Sequence, residues 1–483
     1  MNRSIGRVAG VVLLLFGALF VNLNVITLLQ ADDLATHPAN RRLIIREYAI
    51  ERGPMVVGEE AIARSVETDD GDLRYRRTYP EGPLYAHLTG YYSFILQRSA
   101  LESALNEDLT GRSTEEVAQN LGELLGVSDR AGNTVELTID PDVQRAAADA
   151  LGGVTGAVVA IDPLSGAVLA SYANPTYDPN PLSSHDPTEI RETWEALNAD
   201  ESRPLVDRTR QETYPPGSTF KLVTAAAALE AGASPTDTFD DPEVYDVPQT
   251  TADIPNFGGG PCADGESITL ADALRVSCNT TFAQLAVELG AEELATQAER
   301  FGFNSAPPYE LTVAESAIPG DQDVPSTAQS GIGQRDVRAT PMQMALIAAS
   351  IANGGQLVRP HVVESVRAPD GRQLRGPAGA SWDVGGPSDD RPVSPRTAEQ
   401  LRTMMVDVVE GGTGGRAAIE GAEVGGKTGT AQTGGDDPTV WFVGFAEDRI
   451  AVAVVLPNSA EDATGGALAA PIARAVMQAA LGR

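Results

Sequence analysis

Ser218 and Lys221 stand three residues apart in Ser218-Thr219-Phe220-Lys221, at the head of an apolar run (Leu222, Val223 and Ala225 to Leu229). On a helix that spacing puts both side chains on one face, with Cβ atoms about 5–6 Å apart, so a lysine amine can reach a serine hydroxyl. A serine becomes a nucleophile when an adjacent base takes its proton, and a lysine desolvated in a cleft can act as that base. The positive end of a helix also favours negative charge developing beside Ser218. Alone the pattern is weak, because about one chance copy is expected in a chain of this length.

Lysine usage makes it stronger. Of 35 lysines and arginines only two are lysine, Lys221 and Lys427. Arginine stays protonated in proteins, whereas a lysine amine can lose its proton, so a chain that keeps lysine at two places needs something there that a guanidinium cannot supply. Lys427 opens Lys427-Thr428-Gly429-Thr430, preceded by Gly425-Gly426 and followed by Ala431-Gln432-Thr433. Here Lys427 is expected to serve as a compact cation that, with the hydroxyls, suits a peptide carboxylate. Glycines on a strand let another backbone come close, as when an extended peptide adds to a sheet edge. A third element, Ser277-Cys278-Asn279, offers a hydroxyl to relay a proton and an amide to hold a substrate amide, although Ser-x-Asn is also common turn chemistry. Gly421 to Thr428 matches the phosphate-binding loop pattern literally. That pattern needs a helix after it, and Thr430 to Pro438, rich in glycine and aspartate, cannot readily open one.

The elements that must position these residues can be read in outline. Val135 to Ile139 alternates as a strand, and Asp140-Pro141 caps a helix through Leu151. Gly156 to Asp162 and Ala167 to Ala173 are apolar strands joined by the turn residues Pro163 to Gly166. Thr340-Pro341 and Ser394-Pro395 each open a further helix. The end reads as strands at 439–445 and 449–456 and a helix at about 470–481. The fold class is therefore α/β, a mixed sheet sandwiched by helices. Upstream, residues 33–134 form a small α+β pedestal without a catalytic constellation. There Arg46 to Gly53 reads as a strand running into a turn, and Ser113 caps a helix. Residues 376–392, rich in Gly, Pro and Asp, read as an exposed loop.

The apolar run from Val8 to Leu29, with Arg3 and Arg7 before it and Asp32 and Asp33 after it, is long enough to cross a bilayer. The charge order places the N-terminus in the cytoplasm and the rest outside. No clear cleavage site follows, so 1–32 reads as an uncleaved signal anchor. Cys262 and Cys278 would then lie in an oxidising space, where a disulfide closing a loop of about 15 residues contributes about 3 kcal/mol; a pair of small buried thiols is the other reading. The four histidines, His37, His87, His185 and His361, show no ligand spacing, and neither metal nor cofactor is expected. A net charge of −32 argues against nucleic-acid binding.

Together and in this order, the three motifs resemble those of the penicilloyl-serine transferases, the superfamily of β-lactamases and penicillin-binding proteins. The likeness extends to Gly156–Pro163, Tyr214–Lys221, Gly333–Pro341 and Trp441–Phe445, and covers roughly 135–483, the expected transpeptidase domain. Tyr79 to Ser93 is similar to the actinobacterial penicillin-binding protein A group, a class B type, and no region of glycosyltransferase size precedes the transpeptidase. The resemblance implies a D,D-transpeptidase that cross-links peptidoglycan and is acylated by β-lactams. Ser218 would attack D-Ala–D-Ala, Lys221 take its proton, Ser277 protonate the leaving D-Ala and Asn279 bind the acyl-side amide. Lys427, Thr428 and Thr430, with Gly429 between them, would hold the terminal carboxylate or tune Ser277, and the N–H groups of Ser218 and Thr430 would form the oxyanion hole. A polytopic membrane glycan polymerase is the implied partner. Cys278 departs mildly from the family pattern, and a bridge to Cys262 would brace the loop bearing Ser277 and Asn279. A D,D-carboxypeptidase, a β-lactamase or a β-lactam sensor of the same fold remain alternatives. A sensor needs a cytoplasmic module, and only about seven residues precede Val8.

Overall fold

The apolar runs at 156–161, 439–446 and 450–456 are continuous rather than alternating, because the sheet they build is covered on both faces. The structure, a computed structural model, describes residues 2–26, 45, 47–71, 73–111, 131–379, 382, 391–432 and 437–483. Ser113, expected as a helix cap, lies outside them. Strands and helices are numbered along the chain.

The first sheet is mixed. It runs β8 (Gln373–Arg375), β7 (Val363–Arg367), β4 (Thr134–Leu137), β1 (Met55–Val57), β2 (Glu60–Glu67), β3 (Tyr75–Thr78). Only the β1–β4 pairing is parallel. The expected boundary between residues 134 and 135 falls inside β4, and two strands of this sheet come from the far side of it. The second sheet holds the order β9 (Val424–Ala431), β10 (Thr439–Ala446), β11 (Ile450–Leu456), β5 (Gly156–Ile161), β6 (Val168–Asn174), antiparallel at every junction. The helix-sandwiched sheet is thus the antiparallel one, and the mixed pairing belongs to its neighbour.

Strand periodicity divides the second sheet's side chains. Val158, Phe442 and Val454 pack under the helices Pro141–Leu151 and Ala469–Ala480. Val159, Trp441 and Val455 point to the other face, towards the helix Pro341–Ala352, every residue of which is buried. The predicted caps hold: Asp140 accepts from Asp142 N and Val143 N, Thr340 from Gln343 N and Ser394 from Thr397 N. The N-terminal helix α1 (Asn2–Asn24) includes a 20-residue stretch from Ile5 to Asn24 that is long and apolar enough to cross a membrane.

Two local readings are corrected. The segment expected as a strand at Arg46 to Gly53 is helical at Glu47 and Tyr48, and Glu51 makes only an isolated bridge to Ala131. Packing decides this: the Tyr48 ring is buried and stacks on Tyr92 at 4.8 Å. Within the expected loop at 376–392, Trp382 is buried against Gly302, where a Cβ would meet the indole at 2.4 Å.

The pedestal is organised by a buried ion triad. Glu102 receives Arg52 Nε at 2.5 Å and Arg77 Nε at 2.6 Å, and all three side chains are at most 4 % exposed. Arg77 also donates to the carbonyls of Arg52 and Gly53. These bonds tie β3 and the short helix Ala100–Ala104 to the segment entering β1.

Candidate active site

Ser218 sits in a 3-10 turn, Gly217–Phe220, that runs into the helix α3 (Lys221–Glu230), α2 being the helix Pro141–Leu151. The turn is fixed from outside. Trp441 Nε1, on β10, donates to Pro215 O at 3.0 Å, and Gly217 N donates to Gly333 O at 2.9 Å. Gly217 has φ +52°, and a Cβ on Gly333 would stand 2.1 Å from Gly217 O, so both positions require glycine. Glycine in the third motif has the same purpose. A Cβ on Gly429 would meet Pro216 O at 2.9 Å, while those on Gly425 and Gly426 would enter the rings of Phe445 and Phe442. These three glycines admit parts of the chain itself. Strand β9 that carries them is nevertheless an edge strand beside the cleft.

A cleft of about 730 Å³ opens at this place, and Ser218, Ser277, Asn279, Thr428, Gly429 and Thr430 all line it. Lys221 and Lys427 stand behind that wall, each 0 % exposed. The structure therefore brings together every residue expected at the site. It differs in one contact. Among the described residues Ser218 Oγ makes no hydrogen bond, and Lys221 Nζ is aimed instead at Ser277 O and Asn279 Oδ1, both at 2.7 Å, with Ser277 Oγ at 3.5 Å. Lys427 Nζ donates to Ser277 Oγ at 2.7 Å and to Thr428 O at 3.0 Å. Ser277 thus links the two amines.

Neither amine has a carboxylate partner among the described residues. Burial, and then the charge of Lys427, hold the Lys221 amine well below the usual lysine range. Burial alone brings Lys427 down to about 7. A neutral amine has two N–H bonds and one lone pair. Ser277 O and Asn279 Oδ1 take both N–H bonds of Lys221, which leaves the lone pair to accept a proton.

Ser277 ends the helix α4 (Leu270–Val276) in the left-handed region at φ 67°, ψ 41°, an uncommon conformation for a serine. Asn279 then begins the helix α5 (Asn279–Leu289), whose first N–H groups are capped from a distance. Asn256 Oδ1 accepts from Asn279 N and Thr280 N, both at 3.0 Å. Asn279 Nδ2 in turn donates to Pro255 O. Cys278 is joined to Cys262 in a disulfide, Cα to Cα 5.8 Å, and Asp241 gathers the N–H groups of Cys262, Ala263 and Gly265. Removing the bridge by Cys262→Ser is expected to cost about 2–4 kcal/mol of stability. Because Cys278 lies between Ser277 and Asn279, it is also expected to slow β-lactam acylation. Unchanged melting and unchanged acylation would show that Asn256 and Asp241 hold the loop unaided.

Sequence reading missed Asn256 and Thr413, whose Oγ1 lies 2.7 Å from Thr428 Oγ1. It also missed the turn Thr464 to Gly466 in the cleft wall, where Gly465 packs on Gly429. No spacing marks these residues, since each reaches the site from its own loop. The phosphate-binding reading is excluded by β9: Val424–Ala431 is a strand paired with β10 along its whole length.

Comparison with known proteins agrees with this geometry. Residues 156–478 match the penicillin binding protein transpeptidase domain, and residues 52–135 match the penicillin binding protein A dimerisation domain. The chain is 40% identical to the peptidoglycan D,D-transpeptidase PbpA of Mycolicibacterium smegmatis, covering 100% of this chain and 99% of the relative. The solved structure of penicillin-binding protein A from M. tuberculosis as a ceftriaxone acyl-enzyme is similar at TM-score 0.85 and 40% identity, over 90% of this chain and 100% of that one. A D,D-transpeptidase domain from Eggerthella lenta is similar at TM-score 0.76 and 33% identity, over 90% of this chain and 99% of that one. With the family matched over most of its length and a full-length relative at this identity, the chain belongs to the penicillin-binding protein transpeptidases.

Proposed function

We propose that this protein is a serine-type peptidoglycan D,D-transpeptidase that is acylated by β-lactams. The observation that carries the reading is Lys221: fully buried, without a carboxylate, and with its donors spent on Ser277 and Asn279. Its amine takes the Ser218 proton as Oγ adds to the penultimate D-Ala carbonyl. Collapse breaks the C–N bond, and the leaving D-Ala amine receives a proton from Ser277, which recovers one through the lysines on either side. The acyl group stays on Ser218 until an amine of a second stem peptide displaces it.

Asn279 holds the acyl-side amide, and Lys427, Thr428 and Thr430 receive the carboxylate end, with Gly429 leaving room for the nucleophile turn. The N–H of Ser218, which a helical turn leaves without an internal partner, and that of Thr430 form the oxyanion hole. No step calls on a metal or cofactor. The helix α1, with Arg3 and Arg7 at its start, supports a single-pass anchor with the N-terminus cytoplasmic and the catalytic domain outside. Such an anchor presents a surface within the bilayer to a polytopic glycan polymerase. Fluorescent penicillin followed by peptide mapping tests the reading. The expected adduct is on Ser218 and is lost in Ser218→Ala; an adduct elsewhere, or none, would overturn it.

A further inference from the structure

In a chain with net charge −32, the cleft is an exception: among the described residues that line it, none is Asp or Glu. Its lining includes one guanidinium, Arg416, exposed on the short turn Gly415–Ala417. The same loop carries Thr413, whose hydroxyl meets Thr428. Among the described residues Arg416 has no carboxylate partner, and its hydrogen bond there runs from Nη1 to Ala467 O at 3.2 Å, a backbone contact with the neighbouring turn, whose Gly466 packs on Thr413 O. An arginine in so acidic a protein readily finds an acid. Many here do, such as Arg402 with Glu423 and Asp448. Arg416 lines the cleft without one among the described residues.

The two lysines are poorly suited to hold a substrate anion alone. Both are fully buried, and their donors are engaged by Ser277, Asn279 and Thr428 O. An amine desolvated in this way surrenders charge, whereas a guanidinium keeps it and offers a planar fork that fits a carboxylate. We infer that Arg416 is a specificity-determining residue that receives the free carboxylate at the C-terminal end of the donor peptide, so that the cleft prefers acid-terminated over neutral acyl donors. This rests on the acyl-transfer reading given above and adds a residue to it. It also fits the lack of Asp and Glu among the described residues that line the cleft: an acid within reach would pair with Arg416 and repel the substrate.

The test uses the full chain in detergent with two acyl donors, an N-acyl-D-alanyl thioester of thioglycolate, which ends in a free carboxylate, and its methyl ester. Acylation of Ser218 is followed by intact mass and by thiol release. The unmodified protein is expected to prefer the acid. In Arg416→Gln, acylation by the acid should fall about 10- to 100-fold while the methyl ester changes by less than about 3-fold. Arg416→Lys should recover part of the preference. An equal loss with both donors would mean that Arg416 only supports the loop, and no loss with either would mean that it does not touch the substrate; each result overturns the proposal. If neither donor acylates Ser218 in the unmodified protein, the acyl-transfer reading fails, and this inference with it.

Discussion

Lys221→Arg is expected to lower β-lactam acylation of Ser218 by roughly 10²–10⁴-fold, the range set by losing a general base. The amine lies in a fully buried position, and burial together with Lys427 favours its neutral form. A guanidinium cannot take that form, so the substitution both removes the base and buries a lasting charge beside Lys427. Thermal melting of the same variant separates loss of base from loss of fold, and Lys221→Met supplies a neutral control of similar length. The pH profile gives a second readout. Acylation should rise with pH as Lys221 sheds its proton, and Lys427→Met, by removing the neighbouring charge, should shift that rise to higher pH. A limb that stays in place would show that the two amines do not communicate.

Lys427 is less tolerant than a compact cation at a cleft wall would be. It is fully buried, wedged between Ser277 Oγ and Thr428 O, and its amine is brought down to about 7. Lys427→Arg keeps the charge but forces a wider group into this gap, displacing Ser277. A loss of about 10²-fold is expected, the cost of misplacing a reacting group by about 1 Å. Residual activity should remain, in contrast to Lys221→Arg; equal losses would put the base elsewhere.

Glu102→Ala in the pedestal is expected to destabilise the protein by about 3–5 kcal/mol, because it leaves Arg52 and Arg77 buried without a counter-charge. Burial pushes the Glu102 carboxyl up, but Arg77 and Arg52 outweigh it and hold it below its usual range. A carboxyl depressed in the folded state stabilises above its unfolded value, about 4.3, and that contribution disappears as pH falls through the folded value. Glu102→Gln, which keeps the shape but loses the charge, should therefore melt lower than the unmodified protein at pH 7, and the gap should narrow as pH falls below about 4. Melting curves from pH 3 to 7 decide it, and curves that superimpose on those of the unmodified protein would count against the triad.

What the sequence makes legible here follows from locality. The serine, lysine and threonine motifs are each short and sit on one element, so their residues could be named before they were brought together. The caps at Asp140, Thr340 and Ser394 are equally local. Asn256, Thr413 and Gly465 reach the site from separate loops, and nothing in their immediate neighbours tells of it. The direction of Lys221 was hidden for another reason: the left-handed backbone at Ser277 turns its carbonyl and hydroxyl towards the amine, and a serine carries no signal for that conformation. The Glu102 triad is likewise assembled from three distant segments.

The first sheet also sets a timetable. Its inner strand β4 ends at Leu137, whereas β7, which must cover that strand's open side, begins at Val363. At ~5–20 residues per second, a ribosome needs roughly 10–45 s to make the intervening chain. Throughout that interval the emerging chain carries a bare edge flanked by Val135 and Leu137, the kind of surface that recruits unwanted strands. A cell making this protein must therefore shelter a half-finished sheet while synthesis continues, and the demand on its chaperones falls on the first third of the polypeptide, well before Lys427 of the site has been translated.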